Sequence, residues 1–101
     1  MKNKPAKRFQ TNQEVKVEIY GHTLDIIAKM KNLSSTGAFL ELLKAEMIPQ
    51  QGDLIRITVP LLEVNKVRQI SAEVIWHQGL GFGISFISDD LVVDKLMLKS
   101  I

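Results

Sequence analysis

The chain contains no cysteine, which excludes a disulfide framework and any thiolate nucleophile or metal ligand. No apolar run reaches the ~20 residues needed to cross a bilayer, and no apolar segment follows the basic N-terminus to make a signal peptide. These features are read as a soluble, cytoplasmic protein with no membrane insertion. In that setting Asn32-Leu33-Ser34 is not a glycosylation signal. Histidine is nearly absent: His22 and His77 are the only near-neutral bases, and both fall at turns or strand ends. No HExxH spacing, nucleophile elbow or Walker-type loop occurs. The sequence is therefore not read as an enzyme, and no metal or cofactor is expected. Aromatic residues make up only 6% of the 101 positions. Phe9, Tyr20 and Phe39 alone look outward, too few to stack a single-stranded nucleic acid.

What the chain does have is apolar alternation. Hydrophobic residues make up 46%, and the length suits one domain with one core. Val15, Val17 and Ile19 alternate with polar residues, as do Leu24, Ile26, Ala28 and Met30 after a turn at Gly21-His22. Further rows follow at Ala38, Leu40 and Leu42, and at Ile55, Ile57 and Val59. Two more run through Ile70, Ala72, Val74 and Trp76, and through Phe82, Ile84 and Phe86. Six strands at short spacing predict an all-β fold, a six-stranded antiparallel barrel. Ser88-Asp89-Asp90 then predicts a helix start, with a hydroxyl cap and acids suited to the dipole. Val92 with Leu96, and Val93 with Met97, give the short C-terminal helix an apolar face for the barrel.

Charge is uneven. The net charge is +2, yet Lys2, Lys4, Lys7 and Arg8 lie within the first eight residues without an acid. The remainder is slightly acidic, which argues against long nucleic acid as a partner. Residues 1–13 are read as a flexible basic arm and 14–101 as the barrel domain with its helix. The second notable stretch is Asn32-Leu33-Ser34-Ser35-Thr36-Gly37. By itself it reads as a turn, since these side chains bond their own backbone.

Together, arm and turn resemble the motifs of the PilZ domain family, bacterial receptors for cyclic di-GMP. That family pairs RxxxR in an N-terminal arm with (D/N)xSxxG after a strand pair. Asn32 to Gly37 matches the second motif in full, and Arg8 falls where the second arginine belongs. "GDLIRITVP", "AEVIW" and "GFGISF" are similar to the later strands, so the resemblance spans essentially the whole chain. The departure is Lys4 in the place of the first arginine. Lysine can meet a phosphate but lacks the planar fork that binds guanine O6 and N7 together.

The resemblance implies a cyclic di-GMP site built from Lys4, Lys7, Arg8, Asn32, Ser34, Ser35, Gly37 and Trp76. Arg8 is expected to recognise guanine and phosphate, with Lys4 and Lys7 adding charge. Asn32 would accept from guanine N1 and N2, Ser34 would offer a hydroxyl, and Gly37 would let the ligand or the arm approach the backbone. Trp76 has two readings. Strand parity puts it in the core row, whereas an aromatic there touches the ligand in some family members. Phe39 falls opposite the core row, where the final helix could cover it. The implied function is relay of cyclic di-GMP to an unidentified effector protein, in motility, biofilm or pilus control. The alternative is a degenerate adaptor that works by protein contacts without the nucleotide.

Overall fold

The computed structural model describes residues 12–22, 25–61 and 65–99. Alternation produces the six expected strands: β1 (Gln13–Ile19), β2 (Ile26–Lys31), β3 (Gly37–Lys44), β4 (Leu54–Leu61), β5 (Lys66–Gln78) and β6 (Gly81–Phe86). All neighbours are antiparallel and close into a barrel in the order β1-β2-β3-β6-β5-β4. Its interior takes one residue in two from each strand, including Val17, Ala28, Leu40, Ile57, Val74 and Phe82, each fully buried. Leu24 lies outside the described residues.

Two strands break their own alternation: β3 near its end, where Ile27 and Ala28 of β2 face Lys44 and Leu42, and β5 beside the Asn32–Gly37 turn. Val74 pairs with Ile84, but Trp76 pairs with Gly83, so β5 spends two residues where β6 spends one. Ile75 is the extra residue of a β-bulge, and it reverses the facing of the rest of the strand. The expected inward row of β5 therefore ends at Val74. Trp76 stands on the outside, 42% exposed, and its core reading is corrected.

The C-terminal helix, α1 (Asp89–Lys99), starts as its sequence demands. The Leu91 amide donates to Ser88 Oγ at 3.3 Å, a hydroxyl cap. The barrel holds α1 through polar contacts as well as through buried Val92. Buried Ser71 donates to Asp89 Oδ1 at 3.1 Å and shares a hydrogen bond with the Tyr20 hydroxyl at 3.2 Å. Tyr20 also accepts from Arg56 Nη2 at 3.3 Å, and that bond raises the already high pKa of the guanidinium. Lys95 reaches Glu73 on β5 at 3.0 Å. Of the expected apolar face, Val92 is buried and Leu96 half-buried, while Val93 and Met97 stay exposed. No helix among the described residues is long and apolar enough to cross a membrane.

Because Leu40 is enclosed on all sides by the barrel, truncation leaves a cavity that closed strands cannot collapse. Leu40→Ala should lower unfolding stability by about 2–5 kcal/mol. Urea denaturation followed by circular dichroism checks this, with a lower midpoint expected at an unchanged slope.

Candidate functional site

The Asn32–Gly37 turn leads directly into β3 and is built by one side chain. Ser34 Oγ accepts from the amides of Thr36 and Gly37, each at 3.2 Å, and donates to the Gly37 carbonyl at 3.2 Å. The Ser34 amide closes the turn on the same carbonyl at 2.9 Å. One donor and two lone pairs are the full capacity of a hydroxyl. Ser34 thus shapes the turn, and its hydroxyl is already engaged by that turn.

Gly37 has a comparable local task. It pairs with Ser85 of β6, and a Cβ there would collide with the Ile84 carbonyl. Its missing side chain is used by the neighbouring strand. Asn32 is different. It adopts a left-handed φ of 32°, which asparagine tolerates, and its carboxamide bonds to none of the described residues.

Beside the turn lies an aromatic shelf. Gly83 of β6 pairs with Phe39 on one side and Trp76 on the other, all on the outer face. With no side chain between them, the two rings meet above the glycine, 5.4 Å apart and inclined by 20°. A Cβ at Gly83 would run into the indole, and one at Gly81 into the Phe39 ring. Phe39 is thus partnered by Trp76, whereas α1 lies over Tyr20, Arg56 and Ser71. The signal for this shelf is "GFG", residues 81–83, whose two glycines share the outer face of β6.

Turn and shelf enclose a depression of about 180 Å³, lined by Asn32, Ser34, Thr36, Gly37, Phe39, Trp76, Gly83 and Ser85 among others. Of the residues singled out in the sequence, it joins Asn32, Ser34, Gly37 and Trp76. Ser35 is exposed and does not line it. Lys4, Lys7 and Arg8 lie outside the described residues. Thr36, Phe39, Gly83 and Ser85 are lining residues that the motif did not mark. Every described lining side chain is uncharged. The nearby Lys31 pairs with Glu41 at 3.2 Å. Among the described residues, no group of three or more His, Asp or Glu lies together to bind a metal.

The shelf yields a direct optical test, since Trp76 is the only tryptophan. Gly83→Ala should lift the indole from the sheet, shift its emission to the red and cost about 1 kcal/mol from the lost stacking. Fluorescence and urea midpoints measured together check it; an unshifted spectrum contradicts the geometry.

No curated protein matches this sequence. A solved crystal structure of an uncharacterized Legionella protein is similar in fold, with a TM-score of 0.50 and 18% identity, covering 93% of this chain and 97% of that one. The PilZ domain family matches residues 4–100, a span that takes in the basic arm, the Asn32–Gly37 turn and the whole barrel. On that match, together with the closed six-stranded barrel and its C-terminal helix, the chain belongs to the PilZ domain family.

Proposed function

We propose that this PilZ domain is a receptor for cyclic di-GMP that relays the bound state to an effector protein. The observation that carries this reading is the depression itself. A motif asparagine whose carboxamide bonds to none of the described residues stands beside the shelf of half-buried Phe39 and exposed Trp76. Asn32 reads the N1 and N2 edge of one guanine, and the shelf of Trp76 and Phe39 supplies a stacking surface worth about 1–3 kcal/mol per base. Ser34 and Gly37 hold the wall in shape.

Volume and charge define what the wall lacks. A depression of about 180 Å³ is smaller than the roughly 300–1,000 Å³ typical of a drug-sized pocket. It suits one base and leaves the phosphates outside. The wall is neutral, so the two phosphate charges need cations from elsewhere. Lys4, Lys7 and Arg8 are the concentrated source. Arg8 bonds guanine and phosphate, and the two lysines contribute point charges. Lys4 in the first motif position forgoes one bidentate contact, a loss of about 1–3 kcal/mol, or roughly ten- to a hundredfold in affinity. Arm closure over the ligand changes the outer surface, and the effector reads that change.

The neutral wall also supports a second reading, an adaptor that acts through protein contacts without the nucleotide. Calorimetric titration with cyclic di-GMP separates the two. The receptor reading predicts micromolar or tighter binding, weakened about a hundredfold or more by Arg8→Ala, with both proteins equally folded. No heat and no chemical-shift change at near-millimolar ligand would overturn the receptor reading and leave the adaptor reading standing.

A further inference from the structure

The strands of the barrel are unequal in length, and among the described residues the inequality leaves part of β5 unpaired on one side. β5 pairs with β4 along its first half, from Lys66 opposite Leu61 to Ile70 opposite Ile57. On its other side, β6 pairs only from Ala72 onward, and the last bond there runs from the Ile87 amide to the Ser71 carbonyl at 3.0 Å. Among the described residues, nothing pairs with β5 from Lys66 to Ile70 on that side. β4 likewise runs past β1, whose pairing stops at Thr58. Two residues beyond that point stands Pro60, which has no amide to offer a new strand. Proline thereby denies one side of the projecting ribbon a full ladder, whereas the β5 side keeps its amides and is guarded only by the charges of Lys66 and Arg68, which an acidic strand would neutralise.

We propose that this β5 edge is a docking site for an extended, acidic segment of a partner protein, which adds to the barrel as a further strand. Backbone groups supply the ladder, and side chains select the partner. Lys66 and Arg68 lie two apart and so share one face, and both are exposed. Neither makes an ion pair among the described residues. The opposite face of the edge presents Val67, 64% exposed, and exposed Gln69. The matching strand carries Glu or Asp at alternate positions, with Thr or Val between them. The same pattern disfavours a second copy of this chain in the two registers centred on the edge's charges. Antiparallel self-pairing about Val67 sets Lys66 against Arg68, and pairing about Arg68 sets it against itself, so like charges oppose each other directly. The inference does not depend on nucleotide binding.

The probe is a short synthetic peptide alternating glutamate with threonine and valine, titrated into the ¹⁵N-labelled chain. The expected result is shift changes across Lys66–Ile70 and slowed exchange of the Val67 and Gln69 amides, which point to the open side as the Ser71 carbonyl does, both weakening as salt rises. Joint Lys66→Glu and Arg68→Glu substitution, at exposed positions that leave the barrel spectrum intact, should weaken binding by about tenfold or more. A peptide N-methylated at alternate amides should not bind, nor should the lysine counterpart. Equal binding by the N-methylated peptide or by the charge-reversed protein would overturn the proposal, as would the absence of any shift at millimolar peptide. Changes in the same amides with protein concentration alone would also overturn it, by making a second copy the occupant.

Discussion

A closed barrel imposes one constraint on everything else in this molecule: every second side chain along each strand must fit a shared interior. Val17, Ala28, Leu40, Ile57, Val74 and Phe82 meet it by being apolar and fully buried. What remains for recognition is the outer face, the ends and the turns. Because period-2 alternation is rigid, a side chain changes face only where the backbone gains or loses a residue. β5 does this once, at Ile75, and that insertion turns Trp76 outward to meet Phe39 over Gly83. The aromatic shelf thus originates in the core's packing rule and in the β5 exception to it.

Three glycines make the exception workable. Gly37 allows β3 to approach the Ile84 carbonyl, while Gly81 and Gly83 leave bare backbone beneath two rings. A sheet carrying side chains at these places would push the aromatics apart and fill the depression. Ser34 spends its whole hydrogen-bonding capacity on the turn, while the Asn32 carboxamide beside it bonds to none of the described residues. The motif therefore divides into residues that shape the wall and one that is available to a ligand.

Much of this was legible in the sequence. The apolar rows from Val15 to Phe86 marked the strands, because burial on one face leaves an unambiguous period, and Ser88 with Asp89 and Asp90 marked the helix start. The bulge was not legible. Ile75 is an ordinary β-branched strand residue, so counting by twos runs through it and puts Trp76 in the core. The duties of Ser34 and Gly37 were also hidden. Gly37 answers to a carbonyl on β6, 47 positions along the chain, and only the β3–β6 register reveals it. The helix face was overestimated for a related reason. Its attachment combines buried Val92 with the Ser71–Asp89 and Glu73–Lys95 contacts, which no apolar pattern announces.

The central claim is that the shelf of Trp76 and Phe39, beside Asn32, receives a guanine base of cyclic di-GMP. Trp76 is the only tryptophan, so its emission reports on the shelf without any label. Titration of cyclic di-GMP while following that emission is the most direct measurement. The account predicts a saturable change in intensity that Asn32→Ala weakens while leaving the starting spectrum intact. Emission that stays flat to near-millimolar ligand, or a change that Asn32→Ala leaves untouched, would contradict it.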